Sequence, residues 1–163
     1  MGARGSVIPY FMSFGSDGVL PITDNRMTRF MISLEEAVEF VWHCFDDMKG
    51  GEIYVKKIPS MKVTDIGIAV NDNLKQEEIG IRPGEKLHEQ MIGLEDSLYT
   101  YEYSSHYKIL PPLNNWSNDP ERIKDGEKVD TDFLYTSDNN IEWMEISELK
   151  EWIEKNRNKI GVI

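Results

Sequence analysis

With 163 residues the chain is long enough for one domain with a real core, and its 29 acidic against 18 basic residues give a net charge of −11. That charge opposes the counterion release that drives binding to DNA or RNA, so no nucleic-acid partner is expected, and an anionic ligand must be held by a few local arginines. One cysteine, Cys44, with His43, His88 and His106 scattered, excludes a disulfide framework and a zinc site and reads as a reducing, cytoplasmic setting; no apolar run approaches the roughly 20 residues of a membrane span, and no secretion signal is visible.

The opening Gly2-Ala3-Arg4-Gly5-Ser6-Val7-Ile8-Pro9-Tyr10-Phe11 joins a flexible turn to an apolar run. Such a segment can present backbone amides and a greasy wall to a flat base, or can be an ordinary loop leading into a core helix. An initiator methionine followed at once by a glycine-rich turn reads as an interior stretch of a longer protein.

Leu20 to Phe30 places Arg26 and Arg29 in a turn just ahead of the clearest element, a helix over residues 33–48. Leu34, Ala37, Val38, Val41, Phe45 and Met48 recur there at helical spacing, Ser33 and Glu36 form a capping box, and Gly50 and Gly51 end it. Cys44 beside this stripe is expected to be a small buried hydrophobe, and Glu35, Glu36 and Glu39 a solvated face.

Strands are expected at 52–55, 77–81, 86–92, 99–103 and 107–110, and a second helix at 62–74. After the 77–81 strand, Arg82-Pro83-Gly84-Glu85 favours a type II turn that projects Arg82 and Glu85 from one corner. The pair suits a phosphate and a ribose diol, or forms a plain surface ion pair. Residues 111–140 turn polar and read as a long excursion. A last helix at 147–158 carries Leu149, Trp152, Ile153 and Ile160 on one side, without a capping glutamate at its Ser147 start. Trp116, Trp143 and Trp152 read as packing residues, and His88 as structural.

No glycine triplet has the dinucleotide fingerprint spacing, and no tyrosine has a lysine four residues on, so this chain shows no redox site.

Taken together, Gly5-Ser6-Val7-Ile8-Pro9-Tyr10-Phe11, Leu20-Pro21-Ile22-Thr23-Asp24 with Arg26-Met27-Thr28-Arg29-Phe30, Met48-Lys49-Gly50-Gly51-Glu52-Ile53-Tyr54-Val55 with Lys57-Ile58-Pro59-Ser60-Met61-Lys62, and Gly80-Ile81-Arg82-Pro83-Gly84-Glu85-Lys86-Leu87-His88-Glu89 form an ordered set. The set resembles the C-terminal half of the inverting UDP-N-acetylglucosamine 4,6-dehydratases, which begin pseudaminic acid synthesis. His106 to Pro111 and Tyr135 to Trp143 extend the resemblance over nearly the whole chain.

The resemblance implies an α/β fold: the C-terminal substrate-binding lobe of an extended short-chain dehydrogenase, with the N-terminal Rossmann dinucleotide-binding part missing. It implies a UDP-sugar-binding lobe at residues 1–110 and a C-terminal extension at 111–163. Val7, Ile8, Pro9, Phe11 and Ile22 would line uracil and ribose, Arg29 and Arg82 would hold the diphosphate, and Glu85 would accept from ribose hydroxyls. Asp138, Asn139 and Asn140 would close over the phosphates, and Arg4 would contact them or brace its loop. The ligand implied is UDP-N-acetylglucosamine or UDP. NADP belongs to the complete enzyme, and none is expected on this chain alone, which should be inactive by itself. The alternatives are a non-catalytic UDP-sugar-binding or assembly module, or one half of a split enzyme that meets a separate Rossmann half or forms a homo-oligomer.

Overall fold

The computed structural model describes residues 1–15 and 18–161. In chain order these form α1 (Val7–Met12), β1 (Val19–Ile22), β2 (Thr28–Phe30), α2 (Leu34–Asp47), β3 (Ile53–Lys56), β4 (Ser60–Lys62), α3 (Val63–Val70), β5 (Lys75–Glu78), β6 (Gln90–Ile92), α4 (Leu94–Ser97), β7 (Thr100–Glu102), β8 (His106–Ile109), α5 (Pro120–Ile123), β9 (Glu127–Lys128), β10 (Tyr135–Thr136) and α6 (Ile146–Asn156). The mixed α/β class expected from the sequence holds. No helix among the described residues is long and apolar enough to cross a membrane.

The strands make four small sheets. β1 pairs in parallel with β5, β2 pairs antiparallel with β4, β6 pairs antiparallel with β10, and β3-β8-β7-β9 form an antiparallel ribbon of four. A first core gathers Ile8 and Phe11 of α1, Leu20 and Ile22 of β1, Met61, Ile66 of α3, and Leu149 and Ile153 of α6. A second, between the ribbon and the β6–β10 pair, holds Val55, Ile92, Tyr107, Ile109 and Tyr135. Phe30 packs against the second, its ring centroid 4.9 Å from that of Tyr135. Residues beyond 110 thus enter both cores, α6 in the first and Tyr135 in the second.

Several elements differ from the expected bounds for local reasons. The helix expected to run to residue 74 stops at Val70, because the Asn71 side chain accepts from the Asn73 backbone N–H at 3.1 Å and turns the chain into β5. β5 itself is Lys-Gln-Glu-Glu, a strand with no apolar alternation that is specified by its pairing with β1. The last helix starts one residue earlier than expected, with Glu145 as its N-cap, and the Glu145 backbone N–H donates to Glu148 at 2.7 Å. Residues 111–140, the long excursion expected before the last helix, hold a kinked turn at Leu113–Asn118, α5, β9 and β10.

α2 keeps its capping box, with Ser33 and Glu36 bonded reciprocally. Its expected burial is corrected: no residue of α2 is buried. The helix lies on the ribbon through Phe40, His43 and Asp47, with Phe40 and His43 against His106 and with Asp47 accepting from Lys108 and Tyr54. Leu34, Val38, Val41, Phe45 and Met48 face solvent, Phe45 at 61% and neighbouring Trp42 at 66% exposure. Cys44 is partly exposed instead of buried, and Trp143 is 40% exposed.

Candidate functional site

One end of the first core opens into a cleft of about 600 Å³. Its floor is α1, which can begin at Val7 with Pro9 in the first turn because the missing proline N–H would have had no intrahelical partner there. Val7, Pro9, Tyr10 and Phe11 supply an apolar wall, continued by Pro21, Met27, Val63 and Ile79. The lining also includes Arg4, Thr23, Arg29, Arg82 and Glu85. The cleft therefore combines apolar surface with guanidinium and carboxylate groups, the combination a nucleoside diphosphate requires.

Arg82 and Glu85 project from the expected turn. The Glu85 backbone N–H donates to the Arg82 carbonyl at 3.0 Å, and Gly84 sits at φ +83, the left-handed position that a type II turn reserves for glycine. The Glu85 carboxylate accepts from the Arg82 backbone N–H at 3.3 Å and from the Thr23 hydroxyl at 3.5 Å, which fixes it toward β1. The side chains of Arg82 and Arg4 have no ion-pair partner among the described residues, so both are available to an anion.

Arg29 is differently placed. One terminal nitrogen donates to the carbonyls of Thr28 and Leu87, at 2.7 and 3.2 Å. The other donates to the Met27 sulfur at 3.1 Å and the Lys86 carbonyl at 3.2 Å. Its Nε lies 3.4 Å from a Glu89 carboxylate oxygen.

Of the residues singled out in the sequence, the structure brings Val7, Pro9, Phe11, Arg29, Arg82 and Glu85 together at the cleft, with Arg4. Ile8 lines a smaller adjoining hollow with Ser6, Val7 and Arg29. Ile22 is fully buried in the first core behind the cleft. Asn139 lies apart: its amide donates to the Leu134 carbonyl at 3.0 Å and accepts from the Thr136 N–H at 2.9 Å within its own turn. Asn140 is buried, bonded to Ile58, Ser60 and Glu142. Asp138 faces His88 at 3.7 Å, and His88 Nδ1 meets the Thr28 hydroxyl at 2.8 Å, so this loop is tied to β2 behind the cleft.

Sequence reasoning passed over Thr23, Ser13, Val63 and Ile79, all of which line the cleft. Thr23 adjoins residues already singled out; Val63 and Ile79 carry no local signal, because only the fold brings them there.

A profile of the polysaccharide biosynthesis protein family matches residues 1–111. Two relatives from Campylobacter jejuni, of serotypes O:2 and O:23/36, are each named UDP-N-acetylglucosamine 4,6-dehydratase (inverting). They are 49% and 46% identical to this chain over 160 residues, covering 94% of it and 48% of the relative. A UDP-glucose 4-epimerase of Rickettsia conorii is 40% identical over 73 residues, 44% of this chain and 21% of the relative. Among solved structures, the X-ray structure of Pen from Bacillus thuringiensis superposes with a TM-score of 0.76 at 29% identity, covering 96% of this chain and 46% of Pen. The chain thus spans about half the length of the curated relatives it matches. It belongs to the polysaccharide biosynthesis protein family, with the inverting UDP-N-acetylglucosamine 4,6-dehydratases among its relatives.

Proposed function

We propose that this chain is the UDP-sugar-binding part of a UDP-N-acetylglucosamine 4,6-dehydratase acting in the cytoplasm, in nucleotide-sugar supply for surface glycans of the pseudaminic acid type. The observation that carries the reading is the cleft itself, lined by apolar residues of α1 together with Arg4, Arg82 and Glu85, in a chain 49% identical to such a dehydratase. The wall of Val7, Pro9 and Phe11 takes the uracil, Glu85 accepts from the ribose hydroxyls, and Arg82 meets the diphosphate as a bidentate donor. These residues bind and orient; none moves a proton or a hydride.

The residues present do not fit a nicotinamide dinucleotide. The fingerprint glycine spacing is absent, and the glycine-rich turn at the start is a packing feature: a Cβ on Gly2 would come within 2.8 Å of the Trp152 ring. No step of a dehydration is therefore assigned to this chain. A second reading, one half of a split enzyme or an assembly module, is supported by the solvent-facing apolar row of α2 and by β3, whose outer edge has no strand partner among the described residues.

Calorimetric titration of the purified chain with UDP tests the binding role. One saturable site is expected, weakened about tenfold or more by Arg82→Ala, in keeping with the loss of a charge-assisted hydrogen bond. Equal affinity in the variant would remove Arg82 from the site.

A further inference from the structure

We propose that His88 is a positioning residue: its bond to Thr28 fixes β2, which carries Arg29, against the turn that carries Arg82 and Glu85. The inference rests on the binding role proposed above and adds to it a side chain that does not itself line the cleft.

The imidazole lies where three segments meet. Its Nδ1 is 2.8 Å from the Thr28 hydroxyl, and its Nε2 is 3.7 Å from an Asp138 carboxylate oxygen. The Thr28 hydroxyl lies 2.6 Å from that of Ser137, and Ser137 Oγ accepts from the Glu89 N–H at 2.9 Å. Thr28 and Ser137 are 3% and 0% exposed, so neither hydroxyl can turn to bulk water for a replacement partner. Whichever hydroxyl donates to the other, Thr28 is held between Ser137 and the His88 ring, and the second ring nitrogen faces Asp138.

What these groups adjoin gives the contact its use. Residues 79–89 join β5 to β6 with no regular structure of their own, and residues 79–84 are all exposed. The near end of the segment is fastened by the Ile79 N–H, which donates to the Ile22 carbonyl at 2.8 Å. At the far end the Thr28 N–H donates to the Leu87 carbonyl at 3.2 Å, and the Ser137 N–H donates to the Glu89 carbonyl at 2.8 Å. Residues 87–89 are thus gripped by β2 and by the loop that follows β10, and His88 is the side chain that joins the two grips. It stands three residues after Glu85, and its partner Thr28 stands one residue before Arg29. Release of the ring lets the turn shift against β2, which changes the reach from Arg82 and Glu85 to Arg29; ligand-binding groups keep their geometry only when hydrogen-bonded neighbours hold them.

The two ring nitrogens can be replaced separately. Asparagine places an amide near Nδ1 and can meet Thr28, glutamine reaches toward Nε2 and Asp138, and phenylalanine keeps the ring without either nitrogen. His88→Asn, His88→Gln and His88→Phe are titrated with UDP, and their melting temperatures and the hydrogen exchange of residues 80–88 are measured. The positioning role predicts that His88→Phe and His88→Gln bind UDP about tenfold more weakly, with faster exchange at 80–88, and that His88→Asn recovers most of the affinity and of the protection. A merely structural histidine predicts instead that affinity follows melting temperature across the three variants. That result would overturn the proposal, as would unchanged UDP affinity in His88→Phe, recovery by glutamine but not by asparagine, or weaker binding with exchange at 80–88 unchanged. If His88→Phe does not fold, the asparagine and glutamine variants still decide the question. Failure of the unsubstituted chain to bind UDP would sink the binding role, while exchange in the variants would still show whether His88 fastens the turn.

Discussion

His106 shows how a single residue ties stability to pH. It is buried on β8, stacked on Tyr103 with ring centroids 4.6 Å apart, and its Nε2 has no hydrogen-bond partner among the described residues. Burial, with the nearby charges of His43 and Lys108 adding to it, pushes its pKa down to about 4 from 6.5. Because the folded-state value lies below the unfolded one, the unfolded chain takes up the proton first. The contribution is intact above pH 6.5 and is lost progressively as pH falls toward 4. The melting temperature should decline across that window, and His106→Phe should flatten the decline. Asp24, held down to about 2 by its bonds to Arg26, cannot mimic this, since its contribution is lost only below about pH 4. At the same scale the Arg82-Pro83-Gly84-Glu85 turn was legible from four adjacent residues, because local chemistry decides it. The partners of Arg29 were not, since Lys86 and Leu87 lie 57 and 58 residues away in sequence.

Among the elements, α2 divides what a pattern can and cannot say. Ser33 and Glu36 mark its start through bonds three residues apart, which a sequence displays directly. The row Leu34, Val38, Val41, Phe45, Met48 announces an apolar face, but periodicity does not say whether this chain supplies its cover, and here the row is exposed. Exposed apolar rows of this kind favour association. Replacing Val41 and Phe45 by lysine should lower self-association in sedimentation experiments while leaving the melting temperature within a few degrees of the original, because neither side chain packs in a core of the described chain. A steep loss of stability in that double variant would mean the face is packed in solution. β5 marks the opposite limit: its four polar residues show no apolar alternation, and its parallel pairing with β1 joins Val19 to Lys75, far apart in the chain.

For the molecule as a whole, the fold class was readable, and so were many residues that line the cleft, because they cluster in short ordered segments. The contributions of Val63 and Ile79 were not, because they depend on how distant segments pack. The chain spans 48% of its Campylobacter relatives, and its sequence has no glycine triplet at the dinucleotide fingerprint spacing. Supplied with UDP-N-acetylglucosamine and NADP, the purified chain should give no dehydrated product above background by mass spectrometry; reproducible turnover would contradict the division of labour proposed here. The claim beneath this is that the α1 cleft is the uridine diphosphate site. A crystal structure of the chain soaked with UDP tests it most directly. The account predicts the diphosphate within hydrogen-bond reach of Arg82, the ribose hydroxyls at Glu85 and the base against Val7, Pro9 and Phe11. Ligand density elsewhere on the molecule, with this cleft empty, would contradict it.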